Sequence, residues 1–83
     1  MAVDELRNVP KVIGIKQTTK ALQKNEAAVL YIAKDAENRV TEPLETLAKE
    51  KGVQIIKVPS MRELGKAFGI EVGAATAAIL IQK

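Results

Sequence analysis

Seven consecutive apolar residues, Ala27-Ala28-Val29-Leu30-Tyr31-Ile32-Ala33, constrain the fold more than any other feature. The run has strand length and no polar alternation, which is the pattern of a β-strand covered on both faces. Such a strand is expected at the centre of a sheet, with helices packed on either side. In a chain of 83 residues this cover must come from within one domain, so a single domain over 1–83 is expected.

The rest of the chain supplies elements in the matching order. Lys11-Val12-Ile13-Gly14-Ile15 is a brief β-branched run, and Gln17 to Asn25 reads as a helix that Asn25 can stop. Asp35-Ala36-Glu37-Asn38 holds turn formers. From Thr41 to Lys51, Leu44, Leu47 and Ala48 fall at helical spacing, with Thr41 as a cap, Pro43 in the first turn and Gly52 as the close. Val53 to Val58 is a second strand ended by Pro59, and Ser60-Met61-Arg62-Glu63 matches a capping box for a helix running through Leu64 and Ala67 to Gly69. Local signals conflict from Ile70 to Ile81. Alanine content favours a helix over Ala74–Leu80, whereas the β-branched ends and the element order favour a final strand. A short helix at Asp4–Asn8 completes the reading, which is a small α/β sandwich with about four strands between helices.

Composition removes whole classes of chemistry. The chain has no Cys and no His, which excludes disulfides, thiolate or imidazole zinc sites and Ser-His-Asp triads. Tyr31 and Phe68 are its two aromatic residues, too few for a platform that stacks single-stranded bases. Lys66 is followed by Ala67 rather than Ser or Thr, so no phosphate-binding loop is formed. Asp35, Glu37, Glu42 and Glu45 lack partners suited to nucleophilic or metal chemistry. No catalytic residue, cofactor or metal ligand set is assigned, and an enzyme is not expected. The acidic opening Met1-Ala2-Val3-Asp4-Glu5 precedes no apolar core of a signal peptide, and the longest apolar stretch falls well short of about 20 residues. A cytoplasmic protein with no membrane span is expected.

Charge is unevenly distributed along the chain. The net charge is +3, and Arg7, Lys11, Lys16, Lys20 and Lys24 occur between positions 7 and 24 without one acid. Lys16, Lys20 and Lys24 line one helical face. Lys16 also sits near a helix start, where the dipole repels a cation at a cost of about 0.3–1 kcal/mol. A bound phosphate would reverse that cost, because the free N–H groups become donors and the lysines counterions. A merely solvated basic face is the other reading of the same residues.

Taken together, the segments resemble a known family, the kink-turn RNA-binding ribosomal proteins that include large-subunit proteins seven-Ae and thirty-e. The short seven-Ae-like proteins of Gram-positive bacteria are the most similar branch. Gly14-Ile15-Lys16-Gln17-Thr18-Thr19-Lys20-Ala21 resembles the family's Gly-x-Asn-Glu-x-x-Lys-Ala, and Asp35-Ala36-Glu37-Asn38 its Asp-Ala-Glu-Pro. Val58-Pro59-Ser60-Met61-Arg62-Glu63-Leu64-Gly65 is similar to its Val-Pro-Ser-Lys-x-x-Leu-Gly, and Gly69-Ile70-Glu71-Val72 to its RNA-facing loop. Four motifs in order, at nearly the family's spacing, are specific. Lys16, Gln17, Met61 and Asn38 stand where the family carries Asn, Glu, Lys and Pro.

The resemblance implies a three-layer α/β/α sandwich with a small mixed sheet of about four strands. It implies a monomeric, non-catalytic protein that binds structured RNA containing a kink-turn, with the ribosome as one setting. The implied RNA-binding residues are Gly14, Ile15, Lys16, Gln17, Lys20, Glu37, Met61, Ile70, Glu71 and Val72. Gly14 allows close backbone approach, Gln17 offers an amide to a guanine edge, and Lys16 and Lys20 neutralise phosphate. Ile70, Glu71 and Val72 would pack on the internal loop, with Glu37 beside an extruded nucleotide. Competing with this reading is a protein-interaction scaffold whose apolar loop at 70–72 docks a partner while the basic face tethers it to RNA.

Overall fold

In the computed structural model, which describes residues 9–81, seven elements follow one another. They are β1 (Lys11–Ile13), α1 (Ile15–Gln23), β2 (Ala27–Ala33), α2 (Asn38–Lys51), β3 (Gln54–Val58), α3 (Met61–Ala67) and β4 (Thr76–Leu80). The helix expected over Asp4–Asn8 lies outside the described residues. The strands form one mixed sheet in the order β1-β4-β2-β3, so the apolar run at 27–33 is indeed internal. β2 pairs parallel with β3 and antiparallel with β4, which pairs antiparallel with β1. The parallel pair requires a crossover, and α2 provides it.

Side chains alternate across each strand, so the sheet feeds two cores. Leu30, Ile32, Ile55 and Ala78 pack with Leu22 of α1 and with Leu44 and Ala48 of α2. Tyr31, Ala33, Ile56 and Ala77 pack on the other side with Leu64 and Phe68. The outcome is a three-layer α/β/α sandwich. Leu22, Leu30 and Leu64 have no exposed surface, and each contributes about 1.5–3 kcal/mol by leaving water. Tyr31 and Phe68 meet edge to face with ring centroids 5.3 Å apart, a contact worth about 0.5–1.5 kcal/mol beyond its area. At the start of β2 a bulge interrupts the ladder: Ala27 pairs with Leu80 and Val29 with Ile79. Ala28 is the extra residue and is exposed.

The ambiguous C-terminal segment is a strand. Ala77 and Ala78 lie fully buried between the helical layers, and the small side chains that raise local helix propensity here serve to let both layers close on β4. α1 begins at Ile15, two residues before the expected start. α2 begins at Asn38 rather than after Thr41, whose side chain is buried within the helix. Its first turn is closed by the Glu37 carbonyl, which accepts the Val40 and Thr41 N–H groups at 3.0 and 3.2 Å. Pro43 therefore sits inside the helix, where it withholds a single donor from the carbonyl of the exposed Arg39. The capping box at the start of α3 forms as expected, with Ser60 Oγ accepting the Glu63 N–H at 3.1 Å.

Candidate nucleic-acid interface

β1, β2 and β3 run in one direction and β4 runs against them. The C-terminal ends of three strands and the start of the fourth therefore share one edge of the sandwich. Backbone hydrogen bonds fasten that edge: Gly14 N–H to Thr76 C=O at 2.9 Å, Ala33 N–H to Ala75 C=O at 3.0 Å and Lys34 N–H to Val58 C=O at 2.8 Å. The four segments singled out in the sequence all emerge here.

The first is the start of α1. Gly14 precedes the helix at φ 106°, a left-handed value that a β-carbon disfavours. Its carbonyl accepts the Thr18 N–H at 3.0 Å. No side chain caps the helix, so the N–H groups of Ile15, Lys16 and Gln17 are left at its end without an intrahelical acceptor. Lys16, Gln17 and Lys20 are exposed, and the first turn holds no acid. Gln17 folds back over Gly14, its Oε1 3.1 Å from where a Cβ on Gly14 would stand. Behind this turn Thr76 donates to Thr18 Oγ1 at 3.4 Å in a fully buried pair. This end can accept an anion, with backbone donors inside and two ammonium groups outside.

The facing side is built from the 34–37 turn, the start of α3 and the loop after it. Glu37 is exposed and ion-pairs with Arg39 at 2.7 Å. Met61 opens α3 and is partly exposed. At the end of α3, Gly69 N–H bonds Lys66 C=O and Ile70 N–H bonds Gly65 C=O, both at 3.0 Å, with Gly69 left-handed at φ 77°. This Schellman closure turns the chain back so that Ile70 packs on the α3-side core while Glu71 and Val72 face out. Val72 is 70% exposed. Ile15 resembles Ile70 in being half-buried against a core cluster, so both support the edge from beneath.

Charge divides the edge. Lys16 and Lys20 make the α1 side basic, whereas Asp35, Glu37 and Glu71 lie on the facing loops together with Lys34 and Arg39. Both rings of the protein, Tyr31 and Phe68, are buried in the core, leaving aliphatic and polar groups for contact. Among the described residues no group of three or more Asp or Glu side chains is arranged to hold a metal ion, and no helix is long and apolar enough to cross a membrane.

Three residues at this edge make contacts that the sequence reading does not assign. Asp35 was one of several unpartnered carboxylates, yet its Oδ1 accepts the Met61 N–H at 2.8 Å from 26 positions away. Gly65 closes the Val58–Gly65 motif without a stated role, and a Cβ there would collide with the Val72 carbonyl. Gly73 lies over Met61, where a Cβ would come within 3.2 Å of the Met61 Cβ. The signal for the glycines in the sequence is the spacing of four that Gly65 and Gly73 share with Gly69, running from the helix into the loop that follows it.

Residues 5–83 match the Ribosomal protein L7Ae/L30e/S12e/Gadd45 family, and the chain belongs to it. It is similar to an RNA-binding protein of Halalkalibacterium halodurans, 56% identical over 68 residues that span 82% of this chain and 83% of that one. It is also similar to an RNA-binding protein of Bacillus pumilus, 51% identical over 70 residues that span 84% and 85% of the two chains. The fold is similar to that of a Giardia lamblia 15.5kD RNA binding protein, with a TM-score of 0.82 at 24% identity. That likeness covers 89% of this chain and 62% of the other, and it bears on the fold alone.

Proposed function

We propose that the chain acts as one non-catalytic, cytoplasmic RNA-binding domain that recognises the kink-turn and stabilises its bent form by binding that conformation preferentially. The observation that carries this reading is the convergence of four separated segments on one edge, where an uncapped helix start bearing Lys16 and Lys20 faces an exposed aliphatic loop. The family membership and the RNA-binding names of its relatives support the same ligand class.

In this reading Gly14 lets backbone approach the RNA, Gln17 reads a guanine edge in the tandem sheared G·A pairs, and Lys16 and Lys20 neutralise phosphates. Val72 and Met61, with Ile70 and Ile15 beneath the surface, form the ledge for the internal loop, and Glu37 and Glu71 supply acceptors beside it. Aliphatic contact takes the place of ring stacking, because both rings are used in the core. The protein binds as a monomer, on the ribosome or on another structured RNA.

The test is a titration at fixed salt into a short kink-turn duplex and into a control whose sheared G·A pairs are replaced by Watson–Crick pairs. Strong preference for the kink-turn supports the reading. Equal, steeply salt-dependent binding to both reduces the edge to a general phosphate surface. Absence of RNA binding would favour the scaffold reading, for which the 70% exposure of Val72 is the structural motive.

A further inference from the structure

Two loops at the candidate edge are joined through α3 by a short relay. Asp35 Oδ1 accepts the Met61 N–H at 2.8 Å, and the Met61 carbonyl accepts the Ala74 N–H at 3.1 Å. Met61 is thereby held on both sides of its Cα, by the 34–37 turn and by the end of the 70–74 loop. The turn itself is rigidly seated: Lys34 N–H bonds Val58 C=O, Ala36 N–H bonds Ala33 C=O at 3.2 Å, and the Ala36 side chain is buried. Ala74 is buried and the Val72 carbonyl rests on Gly65, so the loop has little freedom to settle elsewhere once Met61 is fixed.

We propose that Asp35 is a positioning residue that sets the height of Ile70, Glu71 and Val72 relative to Glu37 by acting through Met61, without itself contacting RNA. Its functional meaning rests on the RNA-binding reading above. What matters at position 35 is an acceptor oxygen at the right reach, and its charge is incidental. Three variants separate the two: Asp35→Asn keeps the acceptor and drops the charge, Asp35→Glu keeps the charge and displaces the acceptor, and Asp35→Ala loses both.

The variants are compared by kink-turn titration at several salt concentrations, and in the RNA-free protein by amide exchange and NMR shifts. Asp35→Ala and Asp35→Glu are expected to weaken kink-turn binding about tenfold, the scale of one lost hydrogen bond, with Asp35→Asn within about twofold of the native chain. The salt slope stays native in all three, because no phosphate contact is removed. In the free protein Asp35→Ala and Asp35→Glu speed exchange at Met61 and Ala74 and shift the resonances of Ile70 to Val72, whereas Asp35→Asn does neither. Loop resonances unmoved by Asp35→Ala, or an Asp35→Asn variant as impaired as Asp35→Ala, would overturn the proposal. A native protein without preference for the kink-turn overturns the RNA reading, and the loop response in the free protein then decides the positioning role by itself.

Discussion

Gly65 in α3 lies directly beneath the carbonyl oxygen of Val72, so close that a β-carbon at position 65 would overlap it. The obstacle is backbone, which cannot rotate aside as a side chain would. Gly65→Ala is therefore expected to lower the unfolding free energy by about 1–3 kcal/mol through overpacking, although alanine is the better helix former. Urea denaturation measures the loss. An unchanged or raised midpoint would show that the loop yields without cost.

The basic side of the edge makes a separate prediction. Lys20→Ala should weaken kink-turn and control RNA alike and reduce the salt slope by about one. Gln17→Ala should leave that slope intact and remove about 1–3 kcal/mol of discrimination for the sheared pairs, the value of one good base-edge contact. Titrations of both variants against both RNAs read the two effects independently. If neither changes affinity or selectivity, the contacts lie elsewhere.

Behind that side, the buried pair formed by Thr18 and Thr76 is open to a double-mutant cycle. Replacing either threonine by valine removes the other hydroxyl's partner in a site with no exposed surface, at about 1–3 kcal/mol. Replacing both is expected to cost less than the two single changes added together, since no orphaned hydroxyl remains. Simple additivity in thermal or chemical unfolding would show that the 3.4 Å contact carries no coupling.

Burial raises the pKa of the Tyr31 phenol above its ordinary value of 10.0. The folded protein then keeps this proton to higher pH than the unfolded chain does. The associated stability is fully present below about pH 10 and is lost as pH rises through the raised folded value. Native protein should accordingly lose stability more steeply in strong alkali than Tyr31→Phe, in which the lysines still titrate. Denaturation midpoints of the two proteins across that range should converge or cross; parallel curves would contradict the assignment.

Elements whose cause is local were legible in the sequence. The apolar run at 27–33 announces a covered strand, and Ser60 with Glu63 announces the start of α3. β4 was legible through its β-branched ends and the element order but not through its alanines, which report helix propensity in isolation, whereas Ala77 and Ala78 are small for the sake of the layers above and below them. The start of α2 was misplaced because Pro43 fits a first turn, while the actual first turn closes on Glu37. The same division runs through the candidate edge. Lys16 and Lys20 share a helix face and could be grouped by spacing, and Gly14 and Gln17 joined them through the family motif, but the bond from Met61 to Asp35 spans 26 positions and leaves no local trace.

The bulge at the start of β2 gives the chain a residue that its sheet does not count. Ala27 and Val29 pair with neighbouring residues of β4 and face opposite layers, as adjacent residues of a regular strand would. Deleting one residue from a buried strand ordinarily turns every side chain beyond it to the wrong face. Deleting Ala28 would instead join two positions that already alternate, leaving both cores in phase. Chain length in this buried sheet is thus free to vary by one at a single, identifiable place, and related sequences one residue shorter here would need no compensating change elsewhere.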